Sequence, residues 1–191
     1  MKSIILKTFS DHLQVTEDLF RNEYVIAALE QAAQNCIQAL KKGNKILFCG
    51  NGGSAADAQH LAAELSGRYL KDRSPLFAEA LHVNSSYLTA VGNDYGFEEI
   101  FARAVLAKGK KGDVLVGLST SGTSANVIRA FVEAKRIGLQ TISMTGLTGG
   151  ELKALSDIWL AVPSEETPRI QECHIVMGHI LCNLIEEVIF P

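Results

Sequence analysis

The sequence predicts a three-layer α/β/α sandwich built on a five-stranded parallel sheet. Three observations predict it. Short apolar runs alternate with longer amphipathic stretches along the chain. Those runs are apolar at successive positions, the pattern of strands covered by helices on both faces. Loops rich in glycine and serine follow the first and third runs, where a parallel sheet presents the carboxyl ends of its strands.

Two amphipathic helices come first, over about residues 3–19 and 23–42, the second closed by Gly43-Asn44. Lys45–Cys49 is a short apolar run that breaks at Gly50-Asn51-Gly52-Gly53, a buried strand entering a tight turn. Ser54 is the expected cap of a helix reaching about Tyr69. A second strand is expected near Leu76–Val83, although Pro75 and Glu79 weaken the pattern. Short helices around 86–91 and 97–108 lead to Asp113–Leu118, the clearest strand, and a Ser/Thr/Gly loop then opens a helix over 124–137. Residues 140–144 and 158–162 complete the sheet with a short helix between them, and a long amphipathic helix over about 169–190 closes the chain. Strands separated by helices imply right-handed crossovers. No repeat, low-complexity tract or linker interrupts the alternation, so the 191 residues read as one domain.

With 47% hydrophobic and 20% charged residues, the composition is globular and excludes a disordered chain. Eighteen basic and 21 acidic residues give a net charge of −3, which argues against nucleic acid or an anionic membrane as partner. A local anion site remains open, because backbone N–H groups at a helix N-terminus bind phosphate without net positive charge. Cys36, Cys49, Cys173 and Cys182 sit in apolar runs without C-x-x-C spacing, as buried free thiols of a reducing compartment. The N-terminal run Ile4-Ile5-Leu6 is too short for a signal peptide, and no stretch approaches the roughly 18 apolar residues of a membrane span. A cytoplasmic location is expected.

Two loops carry the candidate chemistry. Gly50-Asn51-Gly52-Gly53-Ser54-Ala55 fits the dinucleotide pattern G-x-G-x-x-A, a weak signal that a glycine turn with a capping serine would also produce. The acidic partner of a nicotinamide site, expected about 20 residues on, falls near Leu70-Lys71-Asp72, before the second strand, so that fingerprint is incomplete. In Ser119-Thr120-Ser121-Gly122-Thr123-Ser124, five hydroxyl residues crowd six positions where one cap would serve a turn. Hydroxyls, exposed N–H groups and a helix N-terminus make a cradle for a phosphate monoester, and no Walker lysine follows to favour a nucleotide triphosphate. His60 and Glu64, four apart on the helix behind the first loop, share a face and can meet one ligand, though alone such a pair is more often a surface contact.

Together the two loops resemble the sugar isomerase (SIS) domain family. Asn51-Gly-Gly-Ser-Ala-Ala-Asp-Ala-Gln-His60, Glu64-Leu-Ser-Gly-Arg-Tyr69, Val91-Gly-Asn-Asp-Tyr-Gly-Phe97 and Arg169-Ile-Gln-Glu-Cys-His174 through His179 are similar to its phosphoheptose isomerase branch, over nearly the whole chain. The resemblance implies a flavodoxin-like SIS fold. It also implies an aldose–ketose isomerase that interconverts D-sedoheptulose 7-phosphate and D-glycero-D-manno-heptose 7-phosphate through an enediol. That reaction opens nucleotide-activated heptose synthesis for lipopolysaccharide core or another surface polysaccharide.

The resemblance further implies one zinc ion per site on His60, Glu64, Gln171 and His179, with Glu64 as base and His179 as acid. A glutamine oxygen is a weak zinc ligand, and a metal-bound carboxylate is a poorer base, so the two roles of Glu64 compete. Substrate contacts are implied at Asn51, Gly52, Gly53, Glu64, Asn93, Asp94, Ser119, Thr120, Ser121, Ser124 and Gln171, the serine loop taking the phosphate; Arg68 is a further candidate. Gln171 and His179 are eight residues apart, about 12 Å of helical rise, so one ion meets both only if both turn inward or if two subunits share the site. His174 and Glu172 have no matching role and read as structural. Asn84 stands where relatives carry Asp, which questions one polar contact of that loop.

A homo-oligomer, a tetramer, is implied, with its sites completed across subunits and the helices over about 1–42 and 169–190 in its contacts. Their apolar positions Leu13, Val15, Leu19, Val25, Ile26 and Leu29, and Ile175, Ile180, Leu184 and Val188, exceed what covering one sheet requires. Two other readings compete with catalysis. One is a non-catalytic SIS protein of the type that associates with the replication initiator and lacks the catalytic carboxylate; the presence of Glu64 and His179 speaks for the enzyme. The other is a dinucleotide oxidoreductase, which requires nicotinamide binding.

Overall fold

In the computed structural model, which describes residues 1–191, five strands pair in parallel: β1 (Ile46–Gly50), β2 (Ala78–Ala80), β3 (Val114–Leu118), β4 (Gln140–Thr145) and β5 (Ile158–Ala161). Their order across the sheet is β2-β1-β3-β4-β5, with Phe48 opposite both Ala80 and Val116, and Leu118 opposite both Gly50 and Met144. The chain leaves β1 toward one edge and returns to β3 on the other side. The order therefore reverses between these two strands, the place where open α/β sheets leave a crevice at their carboxyl ends.

Every residue of β1 and β3 is buried, because alternate side chains enter two separate cores. Ile46, Phe48, Val114 and Val116 join a core of 30 buried residues beneath α1 (Lys2–Phe20), α2 (Glu23–Lys41), α3 (Gly53–Ser66) and α8 (Thr167–Ile189). Leu47, Cys49 and Leu115 join a smaller core of 15 beneath α4 (Ser85–Tyr95), α5 (Ile100–Lys108), α6 (Ala125–Arg136) and α7 (Gly150–Leu155). The expected three layers and five parallel strands are present. The four cysteines are free and buried, and burial pushes the thiols of Cys49 and Cys182 up to about 12, which makes them inert.

The structure corrects several boundaries. The second strand is only three residues long: Pro75 offers no N–H, and the carboxylate of Glu79 is drawn outward to Lys108. The third helix stops at Ser66 rather than Tyr69, because the backbone N–H groups of Tyr69, Leu70 and Lys71 turn instead to the buried carboxylate of Glu186, at 3.2, 2.8 and 2.7 Å. Arg73 completes this nest, giving its Nε to Glu186 at 2.8 Å and its guanidinium to the carbonyls of Glu64 and Leu65 at the end of α3. The helix expected over 86–91 runs the full length of α4, capped by Asn84, whose Oδ1 accepts from the Tyr87 N–H at 3.0 Å. Asn is as good a helix cap as Asp, and Asn84 serves as one here. A second buried carboxylate, Asp113, accepts from Lys45 Nζ at 2.7 Å and from the backbone N–H groups of Lys45 and Lys110, fastening the opposite end of the sheet.

The helices α3 and α8 lie side by side with Gly178 against Leu61; a methyl group on Gly178 would fall 2.5 Å from Leu61 Cδ1. Leu61 is fully buried and has nowhere to move. Gly178→Ala should therefore lower stability by about 1–3 kcal/mol through overpacking, despite the gain of roughly 1 kcal/mol in helix propensity. In a Leu61→Ala background the same methyl enters the vacated space, and Gly178→Ala becomes stabilising. Urea unfolding of the four proteins checks the change of sign.

Candidate active site

The first loop brings α8 onto the start of α3. Gly52 takes φ +55° at the helix N-terminus, a conformation that side chains rarely adopt. On Gly53 a Cβ would lie 2.7 Å from Gln171 Oε1, so only glycine lets Gln171 rest over the first turn. Ser54, the expected cap, sits inside α3 instead, buried and without a capping bond; Gly52 occupies the cap position.

The second loop folds on its own hydroxyls. Ser119 Oγ lies 2.9 Å from Ser124 Oγ and accepts from the Gly122 N–H at 3.2 Å. Ser121 turns to Thr123, accepting from its N–H and its hydroxyl. Between the loops and α8 is a cleft of about 280 Å³ lined by Asn51, Gly52, Gly53, Ser119, Thr120, Ser124, Thr167 and Gln171. Seven hydroxyl or amide residues, Ser54 among them, and the N-terminus of α6 converge there, with no basic residue in the lining. This is a neutral anion cradle of backbone and hydroxyl donors.

Two turns further along both helices stands a second cluster. His60 Nε2 lies 3.0 Å from Glu64 Oε1 and 3.2 Å from His179 Nε2, and the ligand atoms of the three residues all fall within 4.8 Å of one another. Two imidazole Nε2 atoms meet at this distance when one carries a proton; a bound cation would let both present lone pairs. The ring of Tyr69 packs 5.7 Å from that of His179. Asp57, one turn before His60, has a buried Oδ2 without a hydrogen-bond partner; burial raises its pKa, while the nearby His60 and His179 pull it back. His60, Glu64 and His179 thus meet within one chain, and a second subunit is not needed to bring His179 to the pair. The separation of Gln171 from His179 is matched on α3 by that of Gly53 from His60, because the two helices run parallel.

Among the other expected contacts, Asn93 and Asp94 are exposed at the end of α4 and share a 2.9 Å hydrogen bond, just before the Gly96–Glu98 segment that walls a neighbouring cleft. Arg68 is exposed on the turn after α3. Sequence reasoning missed Thr167, Tyr69, Asp57 and Asn126. Of these, Asn126 had a signal: it interrupts the apolar face Val127, Ala130, Phe131 and Ala134 of α6 with a polar residue, and it is buried. It exchanges two hydrogen bonds of 2.9 Å with Asn51, joining the two loops across the crevice.

The fold and the paired loops are those of the SIS domain, whose family model matches residues 13–146. The chain is 61% identical over 152 residues to the phosphoheptose isomerase of a Nitratiruptor species, covering 80% of this chain and 81% of that protein. It is 48% identical over 190 residues to the phosphoheptose isomerase of Clostridium acetobutylicum, covering 100% and 97%. The structure of phosphoheptose isomerase GmhA from Neisseria gonorrhoeae matches with a TM-score of 0.92 at 42% identity, covering 97% of this chain and 98% of that one. The chain belongs to the phosphoheptose isomerases of the SIS-domain family, and is an enzyme of the aldose–ketose isomerase class.

His174, between Gln171 and His179 on α8, is fully buried with neither ring nitrogen hydrogen-bonded. Burial pushes its pKa down to about 4, against a smaller opposing effect of the Thr145 backbone. The unfolded chain takes up this proton below about pH 6.5 and the folded chain only near pH 4, so stability is full above pH 6.5 and falls as pH drops through that window. The loss should reach about 3 kcal/mol. Urea midpoints measured from pH 7 to pH 4 should show the slope, and His174→Leu should remove that component.

Proposed function

We propose that this isomerase interconverts D-sedoheptulose 7-phosphate and D-glycero-D-manno-heptose 7-phosphate, with the phosphate in the serine loop and the reacting carbons near His60, Glu64 and His179. What supports this most is the meeting of Glu64 and His179 two turns along the same helices whose starts form the cleft. The hydroxyls of Ser119, Thr120, Ser121 and Ser124 and the N-terminus of α6 hold the phosphate through hydrogen bonds and the helix dipole. Asn51, Gly52, Gly53, Gln171, Asn93 and Asp94 contact the sugar.

Glu64 removes the proton from the carbon next to the carbonyl and returns it to the neighbouring carbon, passing through an enediol. His179 gives and takes the proton at the sugar oxygens, so that charge does not accumulate on them. The Glu64 carboxylate lies 3.0 Å from His60 Nε2 and forms no ion pair with a lysine or arginine. A carboxylate and two imidazoles converging in this way suit zinc, with His60, Glu64 and His179 the residues that would hold the ion; Gln171, the fourth ligand implied by the resemblance, rests instead over Gly53, two turns away. When bound, zinc supplies a Lewis acid that polarises the carbonyl. The product feeds activated heptose for lipopolysaccharide core or another surface polysaccharide, in the cytoplasm; no helix of the structure is long and apolar enough to cross a membrane.

Glu64→Gln tests the assignment. Gln is nearly isosteric but accepts no proton from carbon at neutral pH, so turnover of sedoheptulose 7-phosphate should fall roughly 10²–10⁴-fold. Calorimetric titration should still show substrate binding. Turnover near that of the unchanged enzyme would remove Glu64 as the base.

The active form in this reading is a homotetramer. Ile4, Ile5, Phe9 and Leu13 of α1 are exposed, and Phe20, Ile26, Val176 and Ile180 line an apolar groove between α1, α2 and α8. Monomers seldom leave so much contiguous apolar surface to water. Sedimentation at micromolar concentration should give four times the chain mass, and Phe9→Asp with Leu13→Asp should reduce it. A monomer before mutation would end the proposal.

A further inference from the structure

We propose that Asn126 is a positioning residue that fixes which edge of the Asn51 carboxamide faces the substrate as donor and which as acceptor. Asn126 is 3% exposed and lies in the first turn of α6. Its Nδ2 donates to Asn51 Oδ1 and its Oδ1 accepts from Asn51 Nδ2, both at 2.9 Å. A reciprocal amide pair alone does not set direction, since turning both side chains over restores both bonds.

A third bond breaks that symmetry. Asn126 Oδ1 also accepts from the Val127 backbone N–H at 2.9 Å. This N–H is one of the donors that the start of a helix leaves without an internal partner. Ser124, at the cap position, makes no side-chain cap bond, its hydroxyl lying instead against Ser119. Turning Asn126 over would set its NH₂ against the buried Val127 N–H, losing an acceptor and opposing two donors. The backbone of α6 therefore fixes Asn126, and Asn126 fixes Asn51.

Each carboxamide in the pair spends one N–H and one lone pair on its partner. Asn51 keeps one N–H and one lone pair, in a set order along its free edge. Asn51 and Ser124 belong both to the cleft under Gln171 and to the adjoining cleft walled by Phe97, so the pair lies where the two meet. A sugar whose hydroxyls and carbonyl match that order is bound, and one with donor and acceptor exchanged meets like against like. The proposal rests on the reading of Asn51 as a substrate contact.

A double-mutant cycle with sedoheptulose 7-phosphate tests it. Asn126→Ala and Asn126→Leu both break the pair without adding charge near the phosphate, and Leu keeps the volume. Either variant, once urea unfolding shows it folded, should lose about 10- to 100-fold in kcat/KM. Combined with Asn51→Ala, the loss should be no greater than that of Asn51→Ala alone. If Asn51→Ala leaves kcat/KM unchanged, the reading of Asn51 fails and the proposal falls with it. If Asn51→Ala is impaired but the two losses multiply, or if both Asn126 variants keep the original kcat/KM, the positioning role alone is overturned.

Discussion

The approach of α8 to α3 is the constraint on which the site depends. Glycine at two places makes it possible: Gly53 beneath Gln171 and Gly178 beneath Leu61. A side chain at Gly178 would press on the fully buried Leu61, and one at Gly53 would displace the Gln171 carboxamide from the first turn of α3. The cleft closes at one end of this seam and the His60–Glu64–His179 cluster forms at the other. In the proposed function, phosphate recognition and proton transfer are thus two ends of one helix–helix contact. Glycine normally weakens a helix interior, and the cost at Gly178 is offset by packing into the larger of the two cores.

Buried carboxylates anchor what the helices do not. Asp113 ties the amino ends of β1 and β3, far from the cleft. Glu186 holds the turn next to the cluster, gathering three backbone N–H groups and Arg73, and Tyr69 of that turn packs beside His179. Burial alone would raise the pKa of Glu186, but the bonds from Lys71, Arg73, Leu70 and Tyr69 outweigh it and hold it below the usual carboxylate range. The group remains charged, fully paired, and rigid.

Much of this is legible in the residues. β1, β3 and β4 announce themselves as apolar runs because both faces are covered, and the loops behind β1 and β3 carry compositions that no plain turn needs. β2 reads longer in the sequence than it is, because its flanks are apolar for reasons other than pairing: Phe77 is exposed, and Leu81 enters a core outside the strand. Ser54 reads as a cap because the local pattern does not record that Gly52 takes a positive φ. His60 and Glu64 share a turn and can be paired by spacing. Joining His179 to them requires knowing that α8 runs parallel to α3, which is tertiary information; Gly178, an isolated glycine in a long helix, is its one local trace. Asn126 acts through a partner 75 positions away, and no periodicity conveys that.

The continuity of α3 has a consequence for how such a chain can vary. Gly53 and His60 are separated by seven residues of unbroken helix, about 10 Å, set by backbone hydrogen bonds and not by side chains. Exchanging side chains along α3 leaves that distance alone. Adding or removing one residue would swing His60 and Glu64 about 100° around the axis and carry both away from α8. The segment from Gly53 to Glu64 is therefore fixed in length, a spacer whose residues can never be counted differently.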